Sequence, residues 1–111
     1  MSRLTKLSRS IKGHIVLITG AASGMGKATA QLFSDEGAIT IVTDLDKKAV
    51  NDVVQEINSN GNKADGFVLD VSDERSVSSA LSEILEKYTN LDILINNAGI
   101  AISTSIDSDD Y

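Results

Sequence analysis

Two kinds of block alternate along this chain. Short runs are apolar at almost every position: His14-Ile15-Val16-Leu17-Ile18, Ala38-Ile39-Thr40-Ile41-Val42-Thr43, Ala64 to Leu69, and Leu91 to Asn96. Between them lie longer polar stretches whose apolar residues recur every three or four positions. A continuous apolar run fits a strand buried on both faces, and a three-to-four spacing fits an amphipathic helix. The pattern predicts strands at about 14–19, 38–43, 64–69 and 91–96, and helices at about 25–36, 46–59 and 73–88. The predicted buried faces are Met25, Ala28, Thr29, Leu32 and Phe33 on the first helix, and Val50, Val53, Val54 and Ile57 on the second. On the third they are Val77, Ala80, Leu81, Ile84, Leu85 and Tyr88. Gly37 and Asn60-Gly61 stop the first two helices, and Ser72 or Asp73 caps the third.

Strand and helix alternating as β-α-β-α-β-α-β call for an α/β fold with a parallel sheet and helical crossovers. Right-handed crossovers put the first two helices on one face. If the fourth strand returns beside the first, the order is 3-2-1-4 and the third helix crosses the other face. The reversal leaves a crevice at the C-terminal ends of strands one and four, where ligands bind in open sheets of this kind.

The polar residues at the strand ends gain meaning from that crevice. Thr19-Gly20-Ala21-Ala22-Ser23-Gly24-Met25-Gly26 joins the first strand to the first helix. A glycine turn lets the backbone approach a ligand closely, and the helix start presents free N–H groups to an anion such as a diphosphate. Glycine turns before helices are common, so the turn alone does not decide the matter. Asp44 ends the second strand, where a dinucleotide fold sets a carboxylate against the adenosine ribose. Its charge would repel a 2′-phosphate and so favour NAD over NADP. Ala22, Ser23 and Leu45 offer no basic partner for such a phosphate, although Lys47 and Lys48 are near. Capping of the second helix is the alternative reading of Asp44. Asp70 could accept from an adenine amino group with Val71 packed on the ring, or could form an Asx turn before the third helix. Asn96 and Asn97 end the fourth strand, where their amides can bridge backbone and tie strand ends together. Ala98 and Gly99 are small enough for a cofactor to lie against the backbone.

Composition narrows the classes. A chain of 111 residues holds one domain at most. With no Cys and one His, there is no disulfide framework, thiolate nucleophile or multi-histidine metal site. The lack of Cys fits a reducing, cytoplasmic setting. His14, at the mouth of a strand, reads as a surface residue. No apolar run approaches the ~20 residues of a membrane span. Five basic residues and no acid occupy the first 34 positions, so against a total of −6 the rest carries −11. An acidic body argues against a nucleic-acid partner. The basic start is too short for a regular transit peptide and reads as a solvated tail.

With four motifs in order at the right strand ends, the chain resembles the short-chain dehydrogenase/reductase family. The family's Thr-Gly-x-x-x-Gly-x-Gly turn matches Thr19 to Gly26, its strand-two acid matches Asp44, its Asp after strand three matches Asp70, and its Asn-Asn-Ala-Gly matches Asn96 to Gly99. The resemblance covers about residues 13–102. It implies a Rossmann fold, a nicotinamide cofactor, and hydride exchange between alcohol and carbonyl. It also implies that Ser23, Met25 and the glycines line the cofactor cleft, with Asn97, Ala98 and Gly99 backing the adenosine ribose side. The expected organisation is a basic tail at 1–12, a cofactor-binding half-domain at 13–102, and a Ser/Asp-rich tail at 103–111.

One departure bears on activity. The family's catalytic Tyr is followed four positions later by Lys, whereas here Tyr88 is followed at that distance by Asp92 and Tyr111 is the last residue. The pattern reads as the cofactor-binding first half of such an enzyme, inactive by itself. A non-catalytic nucleotide-binding or interaction module of the same fold is the alternative. Strand four, apolar on both faces, is expected to self-associate or to be covered by a partner.

Overall fold

A computed structural model describes residues 11–97. From Ile15 to Asn96, four strands and three helices strictly alternate: β1 (Ile15–Thr19), α1 (Gly24–Asp35), β2 (Ile39–Asp44), α2 (Lys47–Ser59), β3 (Lys63–Val68), α3 (Glu74–Tyr88) and β4 (Ile93–Asn96). Residues 1–10 and 98–111 lie outside the described residues, and with them most of the expected 1–12 tail, the whole 103–111 tail, and Ala98 and Gly99.

All four strands are parallel, in the order β3-β2-β1-β4. Ile15 faces Ile39 across the β1–β2 pair, and Thr19 faces Asn96 across β1–β4. The whole of β1 is buried, as its unbroken apolar run requires. One face of the sheet, with Val16, Ile18 and Val42, packs against Val50, Val53 and Ile57 of α2 and Ala30 of α1. The other face, with Ile15, Leu17 and Ile41, packs against Ile84 of α3, supported by Leu81, Tyr88 and Phe67. Helices therefore cover both faces, and the expected order and crossover sides hold.

The contact face of α1 differs from the expected one. Its buried residues are Gly26, Ala30 and Ser34, with Phe33 packed beside them. Met25 is 76% exposed and Leu32 is 48% exposed, and Ala28 faces outward. The reason is distance. A helix that starts in a tight glycine turn lies so close to the sheet that only small side chains fit between them. The buried Ser34 hydroxyl reaches Thr40 on β2 at 2.7 Å, which a larger neighbour would prevent. On α3 the expected stripe holds for Ala80 and Ile84, while Leu85 stays 45% exposed.

Candidate functional site

The C-terminal ends of β1, β2 and β4 meet at the turn that precedes α1. Gly20 and Gly24 both have positive φ, 64° and 57°, a region that costs a residue with a Cβ about 1–2 kcal/mol. Gly26 is required for another reason. A Cβ there would lie 2.1 Å from the Gly20 carbonyl oxygen and 2.6 Å from the Asn97 side-chain nitrogen. The first turn of α1 thus presses directly on the glycine turn and on the end of β4.

Three neighbours hold the turn. On the β2 side, the Ala21 N–H donates to the Thr43 carbonyl at 3.0 Å, and the Ala22 N–H donates to Asp44 Oδ2 at 3.0 Å. From β4, Asn97 Nδ2 donates to the Gly20 carbonyl at 3.2 Å. Thr19 Oγ1 donates to Asn96 Oδ1 and accepts from the Asn97 N–H, both at 3.0 Å. The amides of Asn96 and Asn97 therefore tie two strand ends together, as their position suggested.

The starts of the three helices differ. Asp46 caps α2 by accepting from the Lys48 and Ala49 N–H groups, and Asp73 caps α3 by accepting from that of Arg75. Ser23 holds the N-cap position of α1 in an extended conformation with no side-chain hydrogen bond to the helix, and the first turn carries no acid. The Ser23 side chain therefore satisfies none of the first N–H groups of α1, which carry the positive end of the helix dipole. That is a ready site for a diphosphate.

Asp44 is half-buried. Its carboxylate accepts from Ala22 through Oδ2 and from the Leu45 N–H through Oδ1, the latter at 2.7 Å. It does not cap α2; Asp46 does. Leu45, 64% exposed, lies on the rim beside it. At the end of β3, Asp70 Oδ1 accepts from the Ser72 N–H at 3.0 Å and the Ser72 hydroxyl at 2.6 Å, which is the Asx arrangement. The Ser72 hydroxyl bond leads in holding the Asp70 carboxyl below its ordinary pKa. The Asp70 N–H donates to Ser76 Oγ at 2.9 Å, and Val71 is half-buried next to it.

Thr19, Gly20, Ser23, Gly24, Met25, Gly26, Asp44, Leu45 and Asn97 are thus gathered around the ends of three strands, with Asp70 and Val71 at the end of the fourth. Sequence reasoning passed over Thr43, whose carbonyl holds Ala21 and whose hydroxyl donates to the Ile18 carbonyl at 2.9 Å. Its position next to Asp44 was the available signal. His14 lies at the start of β1, where its carbonyl accepts from Ile39, at the far end of the sheet from this site. Among the described residues no cluster of three His, Asp or Glu could hold a metal, and no helix is long and apolar enough to cross a membrane.

Comparison with known proteins agrees with this geometry. A family model described as short chain dehydrogenase matches residues 14–110. A 3-oxoacyl-[acyl-carrier-protein] reductase from Thermotoga maritima is 42% identical over 90 residues, which is 81% of this chain and 37% of that protein. The chain therefore spans little more than a third of that relative's length. Among solved structures, a hydroxysteroid dehydrogenase from Escherichia coli superposes with a TM-score of 0.77 at 37% identity, over 80% of this chain and 38% of the other. A metagenomic short-chain oxidoreductase in complex with NADP superposes with a TM-score of 0.77 at 30% identity, over 81% of this chain and 41% of the other.

Proposed function

The chain belongs to the short-chain dehydrogenase/reductase family, and from that premise we propose that residues 13–102 hold a nicotinamide dinucleotide. They supply the cofactor-binding half of an oxidoreductase that moves hydride between an alcohol and a carbonyl. The observation that carries this reading is the open start of α1, the helix whose N-cap side chain leaves its first amides to a ligand. The diphosphate sits on those amides and on the Gly20–Gly24 turn. The adenosine ribose lies against Asp44 and is backed by Asn97, with Ala98 and Gly99 following it. Leu45 and Val71 flank the adenine and Asp70 receives its amino group, while Ser23 and Met25 line the cleft. When bound, the nicotinamide ring gives or takes the hydride; the residues named here bind and orient it.

NAD is the preferred cofactor. The Asp44 carboxylate accepts from ribose hydroxyls and repels a 2′-phosphate. Lys48 is drawn to Asp52 on its own helix at 3.1 Å, away from serving such a phosphate, and Ala22 and Ser23 are not basic. The relative solved with NADP makes the choice a matter for experiment. Titration of the purified chain with both dinucleotides should show NAD binding at least about tenfold tighter, a difference of about 1.4 kcal/mol. Equal or tighter binding of NADP refutes the assignment to Asp44.

Among the described residues β4 pairs only with β1, and Leu94 on its surface is 42% exposed. A strand edge of this kind is a template for another chain. We place self-association, or cover by a partner, at β4, to be checked by sedimentation; a monodisperse monomer at high concentration counts against it.

A further inference from the structure

We propose that Asp44 is a positioning residue for the glycine turn as well as a reader of the ribose, so that one carboxylate sets both the choice of cofactor and the affinity for either. The inference rests on the cofactor reading above. Its observations are two consecutive anchors between β2 and the turn, the Thr43 carbonyl on the Ala21 N–H and Asp44 Oδ2 on the Ala22 N–H. The backbone is left-handed at both Gly20 and Gly24. Glycines impose no conformation of their own, so this turn keeps its shape only where neighbours hold it. Ala21 is fully buried, and its carbonyl-held amide fixes the first half. Past Ala22 the next residue, Ser23, makes no capping bond, so among the described residues the Ala22–Asp44 bond is the last side-chain anchor before the helix start.

The carboxylate is itself well placed to act as a brace. Its second oxygen accepts from the Leu45 N–H at 2.7 Å, so the group is held at both oxygens. Each carboxylate oxygen has a further lone pair for a ribose hydroxyl. The brace and the reading of the ribose therefore coexist. Changing the charge and removing the acceptor are two different operations on this residue.

Asp44→Asn removes the charge and keeps a carbonyl oxygen that can accept from Ala22. Asp44→Ala removes both. The test is amide hydrogen exchange at Ala22 in the 111-residue chain without cofactor, followed by titration with NAD and with NADP. In Asp44→Asn, protection at Ala22 should persist and the gap between NAD and NADP should narrow, with NADP binding gained. In Asp44→Ala, exchange at Ala22 should rise at least about tenfold, and both cofactors should bind more weakly than to Asp44→Asn. Unchanged protection at Ala22 in Asp44→Ala, or equal binding of both cofactors by the Ala and Asn variants, overturns the proposal. If the unaltered chain binds neither dinucleotide while Asp44→Ala still loses protection at Ala22, the brace stands and the cofactor reading fails.

Discussion

Gly24 and Gly26 are two positions apart and answer to different constraints. At Gly24 nothing lies within 4 Å of an added Cβ, and the only cost is its φ of +57°. At Gly26 the added atom meets backbone, which cannot rotate away. Gly24→Ala should therefore cost about 1 kcal/mol and leave the turn's shape intact. Gly26→Ala should cost about 3 kcal/mol from overpacking and displace α1 from Asn97. Urea unfolding of the two variants checks this; equal losses would show that Gly26 is not held by close approach. Gly26 and Asp44 were legible as residues because their spacing from the turn is visible along the chain. What they touch was not. The bond from Asp44 spans 22 positions to a backbone amide, and no side-chain pattern records it.

At the scale of elements, the edge strand β3 is tied to α3 by Asp65. Its Oδ2 accepts from Lys87 Nζ at 2.5 Å and from the Tyr88 hydroxyl at 2.8 Å. Burial raises the Asp65 pKa, but the hydrogen bonds from Lys87 and Tyr88 outweigh it and hold the carboxyl below its ordinary 3.8. A carboxyl with a depressed folded pKa contributes stability above the unfolded value and loses it as pH falls through the folded one. Asp65→Asn should then cost about 1 kcal/mol near neutral pH, a figure reduced for solvent screening. The difference from the parent should vanish once the pH is well below 3.8. The hydrogen bond to Asp65 raises the Lys87 pKa above 10.5, so its share is present below that value and lost as pH rises through the raised one. Denaturant midpoints across pH measure both arms; a constant difference at acid pH would show that the carboxylate's charge is not involved. The element pattern itself was readable in sequence, because unbroken apolar runs and three-to-four spacings leave few alternatives. The face of α1 was not. Weighting large apolar residues points to Met25 and Leu32, whereas the packing distance selects the small ones, Gly26, Ala30 and Ser34.

At the scale of the whole molecule, alternation and crossover handedness gave the parallel sheet and the sides of its helices, while the order β3-β2-β1-β4 also needed the fourth strand to return beside the first, which no local pattern dictates. The chemistry of turnover is a separate matter. Hydride transfer to a carbonyl needs a proton delivered to the developing alkoxide, from a group tuned to work near neutral pH. No Tyr-x-x-x-Lys pair occurs in these 111 residues. His14 is at the wrong end of the sheet, and the Asp44 and Asp70 carboxylates are already held by Ala22, Leu45 and Ser72. The purified chain should therefore show no NADH formation or loss with secondary alcohols or ketones. Turnover that survives repurification and disappears in Gly26→Ala would overturn this.

The knot of Thr19, Gly20, Asn96 and Asn97 also has a temporal consequence. Its hydrogen bonds join residues 77 or 78 positions apart, nearly the full span of the described fold. Contacts of such separation form only after the intervening chain has been ordered, because the entropy of closing that loop comes first. The hairpin-free halves of the sheet can assemble while the mouth of the crevice is still open. The glycine turn then acquires its last restraint when β4 docks. Asn96→Ala and Asn97→Ala should accordingly speed unfolding while leaving the refolding rate nearly unchanged. Stopped-flow refolding and unfolding limbs would read this directly, and a matching slowdown of refolding would place β4 in the nucleus instead.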